Sequence, residues 1–111
     1  MKRIFFRVDG DQGKKAGMGH IVRSVNLYQN LILRLKEKFE VIFLMKNYYE
    51  GIKFVKKNTK SKICIYDNKF INKFNLNAHD IFIIDTLGAE KKLLKKIFNK
   101  KIEKVISFDE V

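Results

Sequence analysis

Strand-like and helix-like stretches alternate along the whole chain. That alternation predicts an α/β fold of three layers, α/β/α, built on a mostly parallel five-stranded sheet. Three observations carry the expectation. Short runs of β-favouring apolar residues are separated by stretches whose apolar residues recur at three- and four-residue steps. The run Val41 to Met45 is continuous rather than alternating, which suits a strand covered on both faces of a parallel sheet. Parallel strands need crossovers, and crossovers are right-handed, so the natural assembly is a doubly wound, Rossmann-like sheet of order 3-2-1-4-5.

Taken in order, Lys2 to Asp9 reads as a short buried strand. Ile4, Phe5, Phe6 and Val8 favour β structure, and Gly10 punctuates its end. Gly10 to Met18 is a glycine-rich loop with no apolar period. From Gly19 to Lys38 the period turns helical: Ile21, Val25, Tyr28, Ile32 and Leu35 form a stripe that Val22 and Leu31 widen. Lys36 and Lys38 stand in its last turn, where cations suit the helix dipole. Glu40 to Lys46 is the second strand. Asn47 to Asn58 is the second helix, with Tyr48, Ile52 and Val55 pointing inward. Lys62 to Tyr66 is a third, shorter strand closed by the turn Asp67-Asn68. In the segment Phe70 to Asn77, one helical turn is expected around Phe70, Ile71 and Phe74. Asp80 to Asp85 is the plainest strand, four apolar residues bounded by carboxylates. Ala89 to Lys100 is a further helix, with Leu93, Leu94, Ile97 and Phe98 expected to face the sheet. Lys104 to Asp109 is the last strand, holding Val105, Ile106 and Phe108.

At 111 residues the chain is the size of a single domain with a real core. An apolar share of 46% argues against disorder. No run approaches the ~18 apolar residues that a membrane helix needs. Ile4 to Phe6 is too short for the core of a secretory signal. A cytoplasmic protein without a membrane partner is expected. The single Cys64 permits no internal disulfide and lies in an apolar run that reads as core. The net charge of +12 invites a nucleic-acid reading. However, Arg stands only at positions 3, 7, 23 and 34, and the other 20 of the 24 basic residues are Lys spread over most of the chain, with Lys53, Lys56, Lys57 and Lys60 and Lys91, Lys92, Lys95 and Lys96 at the spacing of solvated helix faces. Base readout favours Arg, so nucleic acid is not the expected partner. An anionic substrate or an acidic partner suits the charge.

The residues with chemistry gather at strand ends. Asp9, Asp85 and Asp109 close the first, fourth and fifth strands. In open α/β sheets, ligands bind in the crevice where the strand order reverses, here beyond the first and fourth strands. Gly17-Met18-Gly19-His20 invites comparison with the dinucleotide fingerprint, but Val22 replaces the third glycine. The second strand also ends in Met45-Lys46, with no acid for a ribose. Neither nicotinamide nor flavin is expected, nor any other cofactor. Gly13-Lys14-Lys15 lacks the spacing that wraps phosphates. Gly17 and Gly19 either admit a sugar or phosphate to the mouth of the first helix, where free amides favour anions, or relieve a tight turn.

His20 sits at that helix start, where the dipole favours a neutral imidazole able to take a proton from water or a hydroxyl. The plainer reading is a capping or surface histidine. His79 lies in a polar turn and reads as surface. His20, His79 and Cys64 share no metal-ligand spacing, and no metal is expected. Arg7 and Asp9 fall on the same side of the first strand, either as a structural ion pair or as a pair that orients a loop or ligand.

Taken together, Arg7-Val8-Asp9, the glycine loop and Gly17-Met18-Gly19-His20-Ile21-Val22-Arg23 resemble the N-terminal half of the UDP-sugar hydrolase of the pseudaminic acid pathway. The related spore-coat polysaccharide proteins, classed as glycosyltransferase-like, share the pattern. Ile83-Ile84-Asp85 with Gly88, and Ile106-Ser107-Phe108-Asp109, fit the same family at later strand ends. The resemblance covers essentially the whole chain. It implies one half of the GT-B architecture, in which two Rossmann-like domains face across a cleft and the C-terminal one holds most of the nucleotide. It implies a UDP-sugar substrate, His20 as general base, and Arg7, Asp9, Gly17, Gly19, Arg23 and Asp85 shaping the substrate side. It implies no metal; a separate C-terminal-domain chain is one candidate partner. Two departures stand out. The loop before His20 is longer, with Lys14 and Lys15 extra, and Leu87 replaces the family's aromatic after Asp85. The alternative expectation is a non-catalytic binding or assembly domain, or a truncated relic, of the same fold.

Overall fold

The computed structural model describes residues 2–9, 18–34, 38–86, 91–102 and 104–108. Five strands, β1 (Lys2–Val8), β2 (Phe39–Met45), β3 (Lys62–Ile65), β4 (Ile81–Asp85) and β5 (Lys104–Ser107), form one sheet. All pairings are parallel, and the order is β3-β2-β1-β4-β5. This is the Rossmann-like order that the alternation predicts. Four helices are described: α1 (Gly19–Arg34), α2 (Tyr49–Asn58), α3 (Asn68–Lys73) and α4 (Lys91–Asn99). None of them is long and apolar enough to cross a membrane.

β1 is the middle of the sandwich, and its side chains alternate between two cores. Ile4, Phe6 and Val8 pack with Ile21 and Val25 of α1 and Val55 of α2. Phe5 faces the other way, toward Phe70 of α3 and Leu93 and Ile97 of α4. Its ring stacks on Phe82 of β4 at 4.7 Å between centroids. So α1 and α2 cover one face and α3 and α4 the other. At the amino edge, Arg3 clamps the buried Asp80 with two hydrogen bonds of 3.0 and 2.8 Å and also donates to the Asn75 carbonyl. The half-buried Cys64 packs against the α3/α4 core, and His79 is exposed; both match the sequence reading.

Several boundaries and faces differ from the expectation. The Asp67-Asn68 turn is a helix start: the Asp67 carboxylate accepts from the Phe70 amide at 3.0 Å, an N-cap that opens α3 earlier than predicted. Lys38 is not helical, while Leu35 and Lys36 lie outside the described residues. Val22, Ile32 and Phe98 do not face the core; they are 39%, 47% and 71% exposed. The cause is shared. Each follows a residue that packs inward (Ile21, Leu31, Ile97), and one step along a helix turns the side chain by about 100°. At the end of α4, Lys101 adopts a left-handed conformation (φ 53°). Its amide donates to the Phe98 carbonyl and the Ile102 amide to the Ile97 carbonyl. This is a Schellman closure with lysine where glycine is usual. It turns Ile102 into the core beside Ile97 and leaves Phe98 outside. On the α1 side the sheet stays open beyond that helix. Leu31, Phe39, Ile81, Ile83, Val105 and Ile106 line a groove of about 410 Å³ there.

The burial pattern of α4 makes a direct prediction. Leu93→Ala should lower the unfolding free energy by about 2–5 kcal/mol, as buried leucine truncations do. Phe98→Ala should change it by no more than about 0.5 kcal/mol, as for a surface site. Urea unfolding of the two variants checks both.

Candidate active site

Two polar clusters sit at the carboxyl edge of the sheet, on opposite faces. β4 alternates like β1, so Ile83 and Asp85 face α1 while Phe82 and Ile84 face α4. Asp85 is the neighbour of Val8 in the β1–β4 pairing. The site therefore falls at the reversal of strand order, where β1 leads into α1 and β4 leads toward α4.

The first cluster is built on Asp85, whose side chain is 1% exposed. His20 stands in the first turn of α1 and Arg23 one turn on, so both project from the same helix face. Arg23 forks onto the carboxylate, Nε to Oδ2 at 2.8 Å and Nη2 to Oδ1 at 2.5 Å. The Arg23 guanidinium also lies over the Phe108 ring at 5.1 Å. His20 Nδ1 is 2.6 Å from Asp85 Oδ1. Burial alone would raise the Asp85 carboxyl, but the hydrogen bonds and charges of Arg23 and His20 outweigh it and hold the group below its ordinary value. An ionised carboxylate only accepts hydrogen bonds, so Nδ1 carries the proton that joins the two. In the neutral ring that leaves Nε2, on the opposite side of the imidazole, as the bare acceptor. The His20 side chain is 22% exposed, so the ring is neither locked in the core nor free in solvent.

The second cluster lies on the α3/α4 face. Arg7 is fully enclosed, its side chain 1% exposed. It forks onto Asp9 at 2.7 and 2.9 Å, donates to the Leu44 carbonyl at 3.3 Å, and packs its guanidinium on the Tyr66 ring at 3.9 Å. Asp9 also accepts from the Lys46 amide at 2.8 Å. The pair ties the exit of β1 to the exit of β2. Arg7 and Asp9 thus form a part-buried ion pair. The guanidinium has no accessible face to offer a ligand, and Asp9 is 21% exposed beside it.

The structure thus brings His20, Arg23 and Asp85 together and sets Arg7 and Asp9 apart from them. Gly19 opens α1, and a Cβ there would meet nothing within 4 Å among the described residues, so packing does not demand the glycine. Gly17, Gly88, Asp109, the paired Lys14 and Lys15, and Leu87 lie outside the described residues. Tyr66 and Phe108, which back the two arginines, read in the sequence only as strand residues or, for Phe108, as part of the Ile106-Ser107-Phe108-Asp109 motif, not as partners of the arginines. Their only signal was an aromatic residue at a strand exit. Among the described residues no three His, Cys, Asp or Glu side chains group as a metal site. Comparison with family models, with curated proteins and with solved structures returns no match for this chain.

The lowered Asp85 carboxyl carries a pH dependence with a definite sign. A folded-state value below the unfolded one stabilises the fold above the ordinary carboxylate range, about pH 4. That contribution is lost as pH falls through the lowered value. Asp85→Asn should therefore be less stable than the parent at neutral pH, and the gap should narrow steadily as pH is taken from about 4 downward. Denaturant unfolding at a series of pH values measures it.

Proposed function

We propose that this chain is the N-terminal half of a GT-B type enzyme that cleaves a UDP-sugar, with His20 as the general base. The observation that carries the proposal is the 2.6 Å contact between His20 Nδ1 and the ionised Asp85. A histidine whose Nδ1–H is held by a carboxylate presents Nε2 as a proton acceptor in a fixed orientation. The switch-point location favours the same reading, since small ligands of open α/β sheets bind there. The resemblance of Arg7-Val8-Asp9 and Gly17-Met18-Gly19-His20-Ile21-Val22-Arg23 to the pseudaminic-acid-pathway hydrolase supplies the substrate class.

In this reading Nε2 removes a proton from water as its oxygen bonds to the anomeric carbon. The bond from that carbon to the UDP oxygen breaks, and UDP leaves with the electron pair. In a glycosyltransferase-like relative, a sugar hydroxyl takes the place of water. Asp85 is a positioning residue: it sets the tautomer of His20 and balances the imidazolium formed. Arg23 holds Asp85 in place. The nucleotide half of the site belongs to a C-terminal domain, and the enzyme acts in the cytoplasm. A non-catalytic assembly domain of this fold is the competing outcome.

The test is UDP release from a UDP-diacetamido-trideoxy-sugar, with the chain alone and with candidate C-terminal halves. The assembled pair should turn over, and His20→Ala should cut kcat by about 10²–10⁴-fold. Asp85→Asn should cost a smaller factor and shift the pH profile. Full turnover by the His20→Ala pair excludes the general base. Complex formation without turnover in any pairing favours the assembly domain.

A further inference from the structure

The helix α4 carries a feature that core packing does not use. Residues 91–102, between Glu90 and Glu103, hold six lysines and no acid. Leu93 and Ile97 bury one side of the helix. On the other side Phe98 is 71% exposed. Its helical neighbours at i−4 and i−3 are Leu94, half-buried, and Lys95, exposed; Lys91 lies two turns back on the same side. Lys101, in the left-handed closure past the helix end, is also exposed, and Lys69 is exposed on the adjacent α3. Lys96 is turned inward, donating to the Phe70 carbonyl at 3.2 Å, and burial lowers its ammonium from the ordinary value. The outer face of α4 is thus an aromatic ring and the edge of a leucine set among lysine ammonium groups.

We propose that this face docks on an anionic lipid surface, with Phe98 entering the headgroup layer and Lys91, Lys95 and Lys101 over the lipid phosphates. Two properties favour a bilayer. The charges are lysines, which reach phosphate as point charges and lack the planar fork that reads bases. The helix is amphipathic with one bulky apolar group on its basic side, which suits the water–lipid boundary. That no described helix is long and apolar enough to cross a bilayer does not bear on lying against one. Docking through α4 leaves the cleft accessible, because His20 and Asp85 sit on the opposite face of the sheet. The proposal does not depend on the UDP-sugar reading.

Cosedimentation of the full chain with vesicles tests it, using phosphatidylcholine alone and phosphatidylcholine mixed with phosphatidylglycerol. Binding should require the anionic lipid and weaken with salt. Lys91→Gln and Lys95→Gln should each weaken it by about fivefold, the contribution of one lysine near such a surface. Phe98→Ala should weaken it further while the circular dichroism and unfolding midpoint stay those of the parent. Three results overturn the proposal: no binding to anionic vesicles at low salt, equal binding by the parent and all three variants, or a Phe98→Ala defect seen for a single-stranded oligonucleotide and not for vesicles.

Discussion

The Asp85 carboxylate is the constraint on which the rest of the site depends. It is almost wholly removed from solvent, and it stays charged because Arg23 grips both oxygens and His20 donates to one of them. A buried carboxylate without such partners would neutralise or cost several kcal/mol. The ion therefore orders three elements together. It fixes the first turn of α1 over the end of β4, and Arg23 carries the contact on to Phe108 past the end of β5. The chemistry assigned to His20 follows from the same bond, since the carboxylate decides which ring nitrogen holds the proton.

The second ion pair works differently. Arg7 and Asp9 are two residues apart on one strand, and their fork is closed off by Tyr66 below and by the Leu44 carbonyl and Lys46 amide of the next strand. It links the exit of β1 to the exit of β2. The sheet thus has the Arg7–Asp9 ion pair on one face and the His20–Arg23–Asp85 trio on the other. One strand exit, β1, serves both: Arg7 and Asp9 belong to the first, and the chain runs on from Asp9 to His20 in the second.

Much of this was legible in the sequence. Strand order followed from alternation and handedness, because β1 and β2 are apolar enough to be buried on both faces and only a parallel interior does that. His20, Arg23 and Asp85 were each recognisable, yet their mutual bonds were not. The i, i+3 spacing of His20 and Arg23 shows a shared helix face, but the partner 62 residues beyond Arg23 is a matter of tertiary placement. Periodicity also overstated the width of helix stripes: Val22, Ile32 and Phe98 are apolar and adjacent to core residues, and packing resolved them one helical step outward. The N-cap of α3 was written in Asp67 with Phe70 three residues on, and it read as a plain turn because the helix is only six residues long. Lys101 carries a left-handed backbone with no glycine to signal it.

The central claim is that Asp85 holds the proton on His20 Nδ1 and leaves Nε2 bare. Long-range proton–nitrogen NMR on the imidazole, at a pH where the ring is neutral, reads that directly. A protonated Nδ1 and an unprotonated Nε2 are expected in the parent chain, with the preference lost in Asp85→Asn. A proton on Nε2 in the parent, or nitrogen shifts unchanged by the substitution, would contradict it.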